Sequence, residues 1–281
     1  MKLTRLLMFA LVAAVALAAA TLAYAAVCAR VVITEDDIAR QAENTPPTRN
    51  WVLYTRLAGN GTFRTGPATP PSGVGSFETV TPTGNDKVTL FNFDHIGTPL
   101  AAIDAMSYAT YRAANALDTD VQLPAINLQV DANGAAPGGF TTLVFEPVYN
   151  TAQGAIQDDT WQTWDAFNNG QAVWWSSNSI PGAPTRDDQV TWDTIRANNP
   201  NAVVVGGFGI NQGSGNPALT ASSDMLSIGH GGECVTYDFE PFEVAADKDA
   251  CKNGGWKTLR RADGSEFKNQ GDCIQFVNTG K

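Results

Sequence analysis

Ile126-Asn127-Leu128-Gln129-Val130-Asp131 alternates apolar and polar side chains without a break. In an extended chain successive side chains point to opposite faces. Ile126, Leu128 and Val130 therefore share one face, and Asn127, Gln129 and Asp131 share the other. This is the pattern of a strand with one face in a core and one face open. Downstream, Phe140 to Phe145 (FTTLVF) reads as a second strand, stopped by Glu146-Pro147. Further strand signals are Trp51–Thr55, Lys87–Phe93, Met106–Tyr111, Trp161–Phe167, Ala172–Ser176, Ala202–Val205, Met225–Ile228 and Cys234–Phe239. Clusters of Gly, Pro, Asn and Asp separate them, giving about ten strands in all. Helical signals are minor. Thr34 with Asp37 is a capping-box pattern that predicts a short helix over Glu35–Ala42, and Thr191 opens one or two turns before Asn199-Pro200. With no βαβ alternation and no internal repeat, the expected fold is all-β: a two-sheet antiparallel β-sandwich, jelly-roll in type.

Composition agrees with that reading. The chain has 281 residues, 43% hydrophobic, 16% charged, with 13 Phe, 7 Trp and 6 Tyr. Aromatics spread along the chain exclude a disordered polymer, and unpatterned glycine excludes collagen. Lys2 and Arg5, an apolar run from Leu6 to Leu22 and the small-x-small site Ala23-Tyr24-Ala25 make residues 1–25 an expected secretory signal peptide. The remainder is expected to be exported, without membrane insertion after cleavage. Residues 26–247 hold 9 basic and 24 acidic groups, whereas Lys248–Lys281 holds 7 and 4. Nucleic acid is a poor partner for so acidic a body. The change of sign marks a boundary. The expected division is an N-terminal segment with a short helix (26–49), a sandwich domain (50–243) and a C-terminal disulfide module (244–281).

All four cysteines, Cys28, Cys234, Cys251 and Cys273, lie after the leader. In an oxidising compartment they are expected to pair, and three pairings are possible. Cys251–Cys273 is favoured because it closes a tail too small to bury much core. Cys28–Cys234 would then tie the start of the mature chain to the last strand of the body. No CxxC pair exists and His95 is far from every cysteine in sequence, which argues against zinc.

Several stretches resemble a family of uncharacterised secreted bacterial proteins with a concanavalin/laminin-G-like jelly-roll body. These are Gly66-Pro67-Ala68-Thr69-Pro70-Pro71 leading to Gly73-Val74-Gly75-Ser76, Asp86–Leu90 (DKVTL), Phe140–Tyr149 (FTTLVFEPVY) and Gly206–Gly215 (GGFGINQGSG). The tail, Cys251–Trp256 (CKNGGW) with Phe267–Cys273 (FKNQGDC), is similar to a short C-terminal element of secreted bacterial proteins. Neither resemblance implies a reaction.

Chemistry is sparse. A glycosidase needs two carboxylates on one face. Asp238 and Glu240 have that spacing, but they also suit acceptors of backbone hydrogen bonds at a strand end. No Gly-x-Ser-x-Gly is present, and His95 and His230 sit at a strand end and a turn. No cofactor is implied. A structural calcium ion would sit in the acidic loops, at Asp118/Asp120, Asp158/Asp159, Asp187/Asp188 or Asp131/Asn133. The aromatics point further. Trp161, Trp164, Trp174 and Trp175 crowd into fifteen residues, and flat aromatic faces stack on sugar rings. Of the adjacent pair Trp174 and Trp175, one must face away from the other. The expected glycan-binding set is Trp161, Trp164 and Trp175 with Asn127, Gln129 and Asp131. The leading function is non-catalytic binding of extracellular carbohydrate. The alternatives are a polysaccharide-acting enzyme and a structural or adhesion protein of the cell surface.

Overall fold

The computed structural model describes residues 28–114, 122–134, 138–183 and 185–281. The leader at 1–25 and the Asp118/Asp120 pair lie outside the described residues. Two sheets face each other. The first contains β1 (Ala29–Ile33), β4 (Asn60–Thr65), β5 (Gly75–Thr81), β7 (Ile103–Arg112), β10 (Trp161–Asp165), β14 (Leu219–His230) and β15 (Glu233–Phe239). The second runs in the order β12 (Val190–Thr191), β11 (Val173–Ser176), β9 (Phe140–Phe145), β8 (Ala125–Asp131), β13 (Val203–Gln212), β6 (Lys87–Asn92), β3 (Trp51–Arg56), β2 (Ile38–Ala42). Pairing is antiparallel except where the N-terminal segment adds a parallel strand to each sheet, β1 on β15 and β2 on β3. The fold is a β-sandwich with a small cystine-closed module at the C-terminus.

The alternation predicted in β8 is what builds the core. Ile126, Leu128 and Val130 are fully buried beside Leu143, Phe145, Phe208 and Ile210. At β11 the adjacent tryptophans part company. Trp174 goes inward, its ring 5.5 Å from Phe145 and 5.2 Å from Trp192, and Trp175 stays on the outer face.

The N-terminal segment differs from expectation. Thr34 and Asp37 do form a capping box, but the helix they start is a single 3-10 turn, Glu35–Asp37, and the chain leaves it as β2. Ile38 is buried against the core, and Ile38–Ala42 pairs in parallel with Trp51–Thr55 of β3. That ladder and the buried Ile38 outweigh the few local bonds of a short helix. The Thr191 signal holds: its hydroxyl accepts from the Thr194 N–H and caps α1 (Trp192–Asn198).

β14 forks the first sheet. One edge pairs with β7 over Ala221–Asp224 and Ser227–His230; the other pairs with β5 over Leu219–Ser223 and with β15 over Leu226–His230. Met225, at φ 53°, and a register shift after Asp224 mark the fork. Asp224 fills the break in the ladder, its Oδ1 accepting from the N–H of Met225 and of Phe239.

Both disulfides form as favoured, Cys28–Cys234 and Cys251–Cys273. The tail motifs supply local caps and turns. Asn269 caps α2 (Gln270–Thr279) by accepting from the Asp272 N–H at 3.0 Å, which sets Cys273 in the first turn. Asn253 and Gly254, both at positive φ, turn the chain after Cys251. Cys251, Leu259, Phe267 and Cys273 make a small separate core, with Arg261 over the Phe267 ring.

Candidate functional site

The outer face of the second sheet is the candidate site. Its strands lay side chains in rows across the sheet. One row is Trp175, Val144, Asn127, Gly209, Phe91, Val52, Ala39, each opposite the next. The next is Ala125, Asn211, Thr89, Tyr54, Gln41. β13 contributes no side chain at Gly209, where a Cβ would lie 1.9 Å from the Leu90 carbonyl oxygen. The middle of the face is therefore low.

Two depressions result. A cavity of about 280 Å³ has Trp175, Asn127, Glu146, Arg186, Arg56 and Lys87 among its walls. Beside it a second of about 210 Å³ is lined by Tyr54, Phe91, Phe93, Thr89, Gln129 and Glu43, and Lys87 borders both. In the larger one the Trp175 Nε1–H donates to Glu146 Oε2 at 2.8 Å, fixing the indole edge-on to the carboxylate. Burial pushes the Glu146 carboxyl up, opposed by Trp175 and by Arg186, whose Nε lies 3.9 Å away. Arg186 itself donates to the Tyr149 hydroxyl at 2.9 Å.

Asn127 is 9% exposed, and its Oδ1 has no hydrogen-bond donor among the described residues. A buried acceptor left unmet costs about 1–3 kcal/mol.

The six predicted site residues do not assemble into one place. Trp175 and Asn127 share the larger cavity. Gln129 lines the smaller one, with its Oε1 already accepting from the Gly207 N–H at 2.8 Å. Asp131 turns the chain after β8, its Oδ1 accepting from the Asn133 N–H. Trp164 is fully buried on the inner face of the other sheet, its Nε1–H on Thr110 Oγ1 at 2.8 Å, so no ligand reaches its ring. Trp161 is half-buried on that same sheet, donating to the Pro67 carbonyl at 3.0 Å beside Tyr111. The sequence reading did not single out Glu146, Arg186, Arg56 or Lys87. The one available signal was that Glu146 directly follows the Phe140–Phe145 strand.

Asp238 and Glu240 both accept hydrogen bonds from protein partners. Arg30 and Ser72 donate to Asp238, and the Val74 N–H donates to Glu240 at 2.9 Å. Both are buried, together with a third carboxylate, Asp224, that the fold brings beside them from β14. A Cβ at Gly73, φ 56°, would strike the Glu240 carboxylate, so this glycine lets the 66–75 loop close over it. Among the described residues no group of three or more His, Cys, Asp or Glu is arranged to hold a metal ion. Asp158 instead faces Arg112, and Asp159 accepts from the Ala114 N–H.

Neither a protein-family model nor a curated protein matches the chain. Among solved structures it is similar to the family 11 carbohydrate-binding module of the cellulosomal cellulase Lic26A-Cel5E of Clostridium thermocellum, at 9% identity and a TM-score of 0.35, covering 63% of this chain and 85% of that one. It is also similar to the family 11 module from Clostridium thermocellum in complex with a beta-1,3-1,4-mixed-linked tetrasaccharide, at 9% identity and 0.34, covering 63% and 86%. Both are likenesses of fold alone.

Proposed function

We propose that the chain is an exported protein that binds extracellular carbohydrate on the outer face of its second sheet. The observation that carries this is the cavity that has both Trp175 and Asn127 in its wall. A sugar presents apolar C–H faces for an aromatic ring and a rim of hydroxyls that donate and accept. The surrounding side chains, Asn211, Thr142, Ser177 and Glu146, offer hydroxyl partners of both kinds. From β3 to β11 the face spans five strand spacings, about 24 Å. That length suits a short oligosaccharide better than a single ring. Two disulfides support a location outside the cytoplasm.

The test is titration calorimetry of the protein without residues 1–25, against a panel of neutral and charged oligosaccharides. Trp175→Ala and Asn127→Ala are each expected to weaken binding by about tenfold, Trp175→Ala with a nearly unchanged melting temperature. No heat from any member of the panel would remove the proposal.

A further inference from the structure

We infer that the glycan is anionic and sets a carboxylate or sulfate against Arg56 and Lys87. This deepens the carbohydrate reading and rests on it. Residues 26–247 carry nine cationic side chains against 24 acidic ones, so the body as a whole repels anions. Three of those nine, Arg56, Lys87 and Arg186, nevertheless line one cavity, and Glu146 is the only carboxylate among its lining residues. The other body cations are committed elsewhere. Arg30, Arg40, Arg64, Arg112 and Arg196 each face a carboxylate, and Arg49 donates to backbone carbonyls.

At the Arg56–Lys87 end one carboxylate serves two cations. Glu43 accepts from Lys87 Nζ at 2.6 Å and lies 3.4 Å from Arg56 Nη1. Asp86, the other carboxylate that feels the Arg56 charge, is buried and taken up by the Ala58 and Thr83 N–H groups, so on the exposed side Glu43 alone faces two cations that keep about a third of their surface open, 37% for Arg56 and 29% for Lys87. A guanidinium beside an ammonium is a strong two-point receptor for a carboxylate or sulfate. Trp175 stands across β6, β13, β8, β9 and β11, four spacings from Lys87 or about 19 Å. The anionic group and the stacked ring therefore belong to different sugars of one chain.

The probes are oligogalacturonates, their methyl esters, a sulfated oligosaccharide and a neutral beta-1,3-1,4-linked glucan oligosaccharide, each titrated at low and high salt. A free-acid or sulfated ligand is expected to bind about tenfold tighter than its neutral counterpart, with an advantage that salt erodes. The acid and sulfate arms identify the anion. Lys87→Met should narrow the gap between acid and ester. Glu43→Gln keeps a hydrogen-bonding side chain while freeing the second cation, so it should widen that gap. If ester or neutral glucan binds as well as the acid, this inference falls and the carbohydrate reading stands. If nothing in the panel binds, both fall.

Discussion

At the scale of single residues, position on the pleat decides what each tryptophan does. Trp174 and Trp175 are adjacent and chemically identical, yet one packs in the core and the other opens onto the cavity. Trp164→Ala should cost about 3–5 kcal/mol of stability, seen in a denaturant melt. Trp175→Ala should change affinity and leave that melt nearly untouched. Titratable groups give a second residue-level prediction. Burial, reinforced by the charges of Asp238 and Glu240 and opposed by the Phe239 N–H, pushes Asp224 up to about 8. Burial and Asp238 push Glu240 up to about 7. A carboxyl raised on folding stabilises the fold below its ordinary value near 4 and loses that contribution as pH rises through its folded value. His95 works in the other sense. Burial lowers it to about 4, so its contribution is present above 6.5 and lost as pH falls. Above pH 6.5 the carboxyls act alone, and the melting temperature should fall as pH rises through about 8. Asp224→Asn keeps the Oδ1 acceptor for Met225 and Phe239 and should flatten that fall. A melting profile of the variant as steep as the parent's would refute the assignment.

At the scale of elements, the strands with clean alternation were legible and those with polar interiors were not. β8 and β9 match the sequence reading to within one residue because large apolar side chains recur every second position. β5, GSFETVT, faces inward with Thr79 and Thr81, which bond to the buried Gln212, and no hydropathy pattern reveals such a pair. In β13, Gly206, Gly207 and Gly209 obscure the inward alternation of Phe208 and Ile210. β1 and β2 are edge strands, stabilised by partners more distant in the chain than local propensity can register. The tail is the reverse case, since its motifs are local caps and turns around a bridge of sequence separation 22. Replacing Cys251 and Cys273 with Ser should remove about 3 kcal/mol in the chain-entropy model. Limited proteolysis should then cut within 244–281 while the sandwich keeps its own melting transition.

At the scale of the whole molecule, the N-terminal segment staples the sandwich by giving one strand to each sheet, and Cys28–Cys234 fixes the first of them. Cleavage of that bridge by Cys28→Ser should lower the melting temperature of the entire sandwich, whereas the tail variant should not. Local chemistry alone determined the strand periodicity, the acidic body with its basic tail and the cap that starts α1, because each depends on neighbours within a few residues. The grouping of Trp175 with Asn127, Arg56 and Lys87, the burial of Trp164 and the meeting of Asp224 with Asp238 and Glu240 were decided only in three dimensions. The physical reason is register. Alternation says which face a residue takes, but which residues become neighbours on that face depends on strand order, and strand order is set by pairings between segments far apart in the chain.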